Sequence, residues 1–302
     1  MQTTDPIAGI DGLIFAARQL VDGLYTGRHA SPLRGTGVEF HDYRPYTAGD
    51  DLRTIDWKLF GRTDRYYLKR YRRETDLNLH VAVDGSASMG FACLDEHRVR
   101  RTSTKFYTAQ LLAASLVTLA VRQGDRAGLA VFDRKLRCLH PPTGSPRLVQ
   151  SMIAELEQAE PSTGQADLAS SLVQLSHTLK TRKAAIAVIS DLLDEPEPML
   201  QAFDRLRFAG HEVLVFQVLA PDELALPDSP RGLFMRDLEQ GPPVNTNPRM
   251  VARRYRELMQ QHLDQVQRSL SARGIDHVLV NTAQPLLPAL RQYLIRRAAR
   301  GG

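Results

Sequence analysis

The segment Val81-Ala82-Val83-Asp84-Gly85-Ser86-Ala87-Ser88-Met89 runs from apolar residues into an aspartate and two serines at alternate positions. The apolar part reads as a buried strand. At the carboxyl end of a central parallel strand the backbone turns sharply, so a carboxylate and two hydroxyls spaced two apart converge on one point. Such hard oxygen donors suit Mg²⁺, which keeps several waters beside one or two carboxylates. A second apolar run, Ala184–Ile189, ends in Ser190-Asp191 and offers another carboxylate to the same rim of a sheet. The bland alternative is a strand-ending aspartate whose serines merely cap the next turn. A catalytic alternative uses Ser88: Ser86-Ala87-Ser88-Met89-Gly90 approximates a serine elbow, with Asp191 and His277 as acid and base. Against it, Ser86 replaces the first glycine of the elbow, and FACLDEHRVR after Gly90 lacks the helix that should follow.

The elements that must position these residues alternate. From about Leu77 onward short β-branched runs at Asn78–Val83, Arg126–Phe132, Ala184–Ile189, Glu212–Val218 and His277–Val280 are separated by longer helical patterns. Those patterns cover Thr104–Arg122, Pro146–Gln158, Asp167–Leu179, Glu197–Phe208, Arg249–Ala272 and Pro285–Arg297. This predicts an α/β fold, a mostly parallel sheet with helices on both faces. Leu136–Leu139 reads as an edge strand in a hairpin with Arg126–Phe132, and a further hairpin is expected around Gly232–Arg236. Ahead of the alternation, Leu13, Ala17, Leu20, Val21 and Leu24 mark an amphipathic helix docked on the rest. The expected division is residues 1–77 for this helix and a Gly-, Arg- and Asp-rich segment, and 78–302 for the α/β domain with its C-terminal helices.

Composition bounds the function. The 302 residues are 43% hydrophobic and 24% charged, ordinary for a globular chain and long enough to bury a large core. The net charge of +5 is spread thinly, with 12 basic against 11 acidic residues in 1–78 and 27 against 23 in 79–302, so no basic domain stands out. Neither Cys93 nor Cys138 has a sequence neighbour that reads as a metal-ligand or redox pair, so both are expected as reduced thiols. The nine histidines form no i, i+4 ligand pair. The amino-terminal residues, with Asp5 and Asp11 and no basic stretch, do not resemble a secretory leader. The longest nearly apolar stretch, Leu111 to Val121, is short of the ~18 residues of a membrane span. The expected location is the cytoplasm. No phosphate-loop motif is present.

In the 62–73 run, Arg62, Arg65, Lys69, Arg70, Arg72 and Arg73 interleave with Tyr66, Tyr67 and Tyr71. That mixture suits either a single-stranded nucleic acid groove or a strand with inward tyrosines and solvated cations. The near-neutral balance of residues 1–78 favours the strand. In the 35–57 segment, Arg44 and Arg53 face Glu39, Asp42, Asp50, Asp51 and Asp56, which predicts a folded, salt-bridged layer. Its alternative is a partner surface made by Arg44, Asp50, Asp51, Arg53, Asp56 and Trp57. Trp57 is expected in the core, or as the anchor of that surface if exposed.

The pattern Asp84-x-Ser86-x-Ser88 followed by Asp191 in VISDLLD resembles the metal-ion-dependent adhesion site of the von Willebrand factor A domain. The resemblance implies that domain's Rossmann-like sheet, with Asp84, Ser86, Ser88 and Asp191 as ligands of Mg²⁺ or another divalent cation. The family's loop threonine is replaced here by Ala166 in Gly164-Gln165-Ala166-Asp167-Leu168, and Thr163 is the nearby hydroxyl. A second set, Gly35-x-Gly37-x-Glu39-Phe40, Arg44-x-Tyr46, Gly49-Asp50-Asp51, Arg53 and Ile55-Asp56-Trp57, resembles the opening motif of the bacterial domain of unknown function 58 family. That resemblance continues through VLAPDELALPD and GIDHVLVNTAQPLLPALRQYLIRR. It implies a non-enzymatic interaction protein, an adaptor or chaperone-like partner of a MoxR-type AAA+ ATPase, with no nucleotide or organic cofactor of its own.

Overall fold

Alternation of buried side chains along each strand divides the core into two halves. In a computed structural model, which describes residues 12–26, 40–45, 57–71, 77–92, 104–162, 167–179, 183–226, 233–235, 244–246 and 248–300, the chain begins with α1 (Leu13–Thr26), β1 (Phe40–Pro45), α2 (Trp57–Thr63) and β2 (Tyr67–Tyr71). The alternating region follows as β3 (Asn78–Asp84), α3 (Lys105–Arg122), β4 (Arg126–Phe132), β5 (Leu136–Thr143), α4 (Pro146–Gln158), α5 (Leu168–Thr178), β6 (Ala185–Ser190), α6 (Pro196–Phe208) and β7 (Glu212–Leu219). It closes with α7 (Pro221–Leu224), β8 (Leu233–Met235), β9 (Val244–Thr246), α8 (Pro248–Ala272), β10 (Asp276–Asn281) and α9 (Leu287–Arg300). The predicted α/β alternation is therefore present. The anticipated hairpin near Gly232–Arg236 is β8 paired antiparallel with β9.

Six strands form one sheet in the order β10-β7-β6-β3-β4-β5, parallel except for the antiparallel edge strand β5. Leu79, Val81, Val83, Leu129, Val131, Ala187 and Ile189 share one buried cluster with Leu112, Leu116, Ile153 and Leu290, from α3, α4 and α9. The intervening residues Ala82, Ala130, Phe132, Ile186 and Val188 face a second cluster built on Leu172, Phe203 and Leu270, from α5, α6 and α8. Period-two alternation on strands buried on both faces produces this three-layer arrangement. Helix α1 belongs to the first cover. Leu13, Ala17 and Val21 are buried with α3 and α9, and the Leu13 amide donates to Glu157 on α4 at 2.9 Å.

Strand order fixes where a ligand can sit. From β3 the chain moves outward through β4 and β5, then returns to the other side of β3 to build β6, β7 and β10. The crevice between the carboxyl ends of β3 and β6 is thus the topological switch point, where open α/β sheets take their ligands. At the opposite edge of β4, Gly128 lets β5 come close: a Cβ there would lie 2.6 Å from the His140 carbonyl. A break in the β4–β5 register between Ala127 and Leu129 falls at the same place.

Among the described residues, no helix is long and apolar enough to cross a membrane.

Candidate metal-ion site at the carboxyl edge of the sheet

Asp84 ends β3, and the register Val83 to Ile189 puts it beside Ser190, the last residue of β6. Both carboxylate oxygens are occupied. The Ser86 amide donates to Oδ1 at 2.9 Å, and the Ser190 hydroxyl donates to Oδ2 at 2.6 Å. Beyond Asp84 the chain turns through Gly85, whose amide donates to the Phe132 carbonyl at 2.7 Å. A single 3₁₀ turn over Ser88–Gly90, pinned by the buried Met89, then brings the Ser88 hydroxyl to 3.0 Å from that of Ser86. The two serines and the aspartate therefore converge as their spacing predicts.

Asp191 follows β6 directly, on a turn in which buried Leu192 takes a positive φ of 55°. A left-handed conformation is uncommon for a leucine and is tolerated where surrounding contacts impose it. Here the Leu192 amide donates to the Ser190 hydroxyl at 3.2 Å, and the Asp191 carbonyl accepts from Gln217 Nε2 at 2.9 Å. Asp84 and Asp191 thus share one lip of the molecule, near enough for the Asp191 charge to act on Asp84.

Lys105 is the residue that sequence reasoning missed. It is the first residue of α3, wholly buried, and its Nζ donates to Asp191 Oδ2 at 2.7 Å and to Glu223 Oε1 at 2.6 Å. Glu223 lies on α7, where its second oxygen accepts from the Ala220 amide at 2.8 Å. A cation at a helix amino terminus opposes the helix dipole, so the two carboxylates must hold it there. Burial works to lower the Lys105 pKa, but Asp191 and Glu223 outweigh it and the net shift is upward.

The charge balance of the pocket is negative. Asp84, Asp191 and Glu223 contribute three carboxylates and Lys105 a single ammonium. Burial first, and the Asp191 charge second, push Asp84 up to about 7, despite hydrogen bonds from Ser190 and Ser86 that pull it down. Glu223 is also raised, by burial that Lys105 only partly offsets, and Asp194 is raised by burial, Asp191 and Asp167. A buried carboxylate that resists ionisation beside another carboxylate favours a proton or a cation. The donors are all hard oxygens, a set that fits a small divalent ion.

Other anticipated positions separate into three groups. Thr163, Ala166, Asp50, Asp51, Arg53 and Asp56 lie outside the described residues, as does Cys93; the loop before Thr163 passes the site, where the Ser162 amide donates to the Gly85 carbonyl at 2.7 Å. Arg44 lies on β1, opposite Leu68 of β2 in an antiparallel pair. Trp57, expected in the core, is instead 60% exposed and meets Phe60 edge-on, while Phe60 stacks on the exposed Tyr66. It opens a short helix whose described residues are half-buried or exposed. The 62–73 run contains β2, as the strand reading predicts, but the exposed Tyr66 does not face inward.

The hydrolase reading loses its base. His277 lies on edge strand β10, three strand spacings from β3, roughly 14 Å away. Its Nε2 is 3.0 Å from Gln217 Oε1.

A family model described as "Protein of unknown function DUF58" matches residues 42–265. The chain belongs to the DUF58 family. Both candidate carboxylates, the serines and Lys105 fall within the DUF58 match. Uncharacterized protein Rv1480 of Mycobacterium tuberculosis is 29% identical over 239 residues, spanning 78% of this chain and 71% of that protein. Uncharacterized protein Mb1516 of Mycobacterium bovis aligns with the same figures, 29% over 239 residues, 78% and 71%. Among solved structures, the conserved hypothetical protein BatB from Bacteroides thetaiotaomicron is similar at 21% identity and a TM-score of 0.49, over 74% of this chain and 99% of that one. A von Willebrand factor type A structure from Catenulispora acidiphila is similar at 13% identity and a TM-score of 0.35, over 61% of this chain and 42% of that one.

Proposed function

We propose that this DUF58 protein is a non-enzymatic interaction module that binds a divalent cation, Mg²⁺ by its donor chemistry, through Asp84, Ser86, Ser88 and Asp191. The observation that carries this reading is Asp84: a buried carboxylate at the switch point of the sheet, set between hydrogen-bond donors and beside a second carboxylate. A bound dication supplies an electrophilic point to which a carboxylate of a protein partner can attach. The chain's own residues do the remaining work. Ser190 and the Ser86 amide orient Asp84, Lys105 holds Asp191 in position, and Met89 holds the serine turn in place.

The partner suggested by the family resemblance is a MoxR-type AAA+ ATPase, for which the protein would act as adaptor or chaperone-like factor. The test mixes the purified protein with the MoxR-type ATPase of the same genome, in Mg²⁺ and in chelator, with wild type and Asp84→Asn. Association that needs both Mg²⁺ and Asp84 is expected. Equal association in all four mixtures would remove the metal-dependent mechanism, and none in any of them would remove this partner.

A further inference from the structure

A second group of ligating side chains lies away from the carboxyl edge, on the outer strand of the sheet. Cys138 and His140 are two residues apart on β5, so period-two geometry directs both side chains to one face. Cys138 packs against the cluster that includes α4, and Glu155 projects from that helix. Cys138 Sγ, His140 Nε2 and a Glu155 carboxylate oxygen all lie within 4.8 Å of one another. Their register is fixed from beneath: Cys138 pairs with Val131 and His140 with Leu129 on β4.

His140 Nε2 is a buried atom that lies 2.9 Å from Glu155 Oε2, yet among the described residues it makes no hydrogen bond. The contact has the length of a hydrogen bond without its direction. Two donor atoms sharing a metal 2.0–2.3 Å away stand about 3.3–3.8 Å apart in a tetrahedral site, so modest side-chain rotation converts this cluster into a coordination sphere. Access is open, since the Glu155 side chain is 58% exposed and that of His140 28%.

We infer that Cys138, His140 and Glu155 form a three-ligand site for Zn²⁺, with a fourth position open to water or to a group from a partner. Sulfur, imidazole and carboxylate together select a borderline transition metal, whereas the all-oxygen donors at Asp84 select a hard one. As Zn²⁺ binds, a Zn–S bond forms and the thiol proton leaves to solvent. The competing arrangement is metal-free: a protonated thiol donating to Glu155, with burial and that carboxylate pushing Cys138 up to about 11.

The experiment titrates the full chain, stripped of metal, with Co²⁺ as a spectroscopic stand-in for Zn²⁺. The expected result is a thiolate-to-cobalt charge-transfer absorption that saturates at one equivalent and is abolished by added Zn²⁺. Cys138→Ser should remove it, and Cys93→Ser should not. Glu155→Gln, on the half-exposed face of α4, should weaken cobalt affinity by at least about tenfold while far-UV circular dichroism shows the fold intact. Asp84→Asn should keep the band, because an oxygen site has no thiolate to produce it. Absence of the band in wild type, or its survival in Cys138→Ser, would overturn the proposal.

Discussion

Asp84 and Lys105 respond oppositely to removal because one carries a charge the fold opposes and the other a charge the fold requires. Asp84 is an acid raised from 3.8 to about 7 by burial and by Asp191, so its ionised form costs stability. That cost is absent below pH 4, grows by about 1.4 kcal/mol for each pH unit climbed between 4 and 7, and is complete above 7. Asp84→Asn, neutral and nearly isosteric, is therefore expected to raise the unfolding free energy in chelator at pH 8, with the gain shrinking towards pH 4, and to abolish stabilisation by Mg²⁺. Lys105→Met leaves Asp191 and Glu223 buried without their cation and should cost about 3–5 kcal/mol at pH 7, both effects being read by denaturant titration. The two aspartates and the serines were legible in the sequence because their spacing after apolar runs is a local signal. Lys105 was not, since its partners come from the turn after β6 and from α7, 86 and 118 residues away. Its position at the start of an apolar helix, where a cation opposes the dipole, was the available hint. The Cys138, His140 and Glu155 cluster is hidden for a related reason. The i, i+4 interval that reveals ligand pairs on helices misses a strand, which pairs i with i+2, and the third ligand arrives from another element.

The strands of the six-stranded sheet and the long helices that cover it were readable to within a few residues, because doubly covered strands are continuous apolar runs and their helices carry one apolar stripe, whereas the short α7 and β9 were not marked. The long edge strand β5 was only half legible. Its apolar pattern ends at Leu139, but pairing continues to Thr143 through His140-Pro141-Pro142, residues that do not read as strand. What permits that continuation is Gly128. A methyl group there meets the His140 carbonyl at 2.6 Å and the Pro142 nitrogen at 3.0 Å, all of it backbone that cannot step aside. Gly128→Ala is expected to force β5 off β4 at a cost of about 1–3 kcal/mol, by analogy with overpacked cores. Hydrogen exchange should show the loss concentrated in Leu136–Thr143, leaving β6 and β7 protected. Gly61→Ala, on α2 where nothing lies within 4 Å of an added Cβ, is the control of opposite sign and should stabilise by about 0.5–1 kcal/mol.

At the scale of the whole molecule, a buried base at the centre of the sheet works against stability in acid. His80 sits in the central strand, 5% exposed, and neither ring nitrogen has a hydrogen-bond partner among the described residues. Burial, and then the nearby His211, lower its pKa from 6.5 to about 4. Above pH 6.5 the ring is neutral folded or unfolded and contributes nothing. Between 6.5 and 4 only the unfolded chain takes up the proton, so the contribution of this residue to stability falls by about 3 kcal/mol and levels off below, opposing the relief that Asp84 gains over the same range. His80→Leu should remove that fall, so that the variant gains stability relative to wild type as the pH drops from 7 to 4 in thermal unfolding; a difference independent of pH would overturn the assignment to His80. Helix α1 acts at the same scale. It seals the same cluster as α9, with Leu13, Ala17 and Val21 no more than 2% exposed, and a Cβ added at Gly23 would lie 3.7 Å from Leu287. A growing polypeptide on the ribosome therefore makes this amphipathic segment well before α3, its main neighbour, and long before α9, which completes its cover. Until synthesis reaches that helix the segment's oily stripe stays only partly covered, so the newborn chain carries exposed apolar surface that the finished molecule does not.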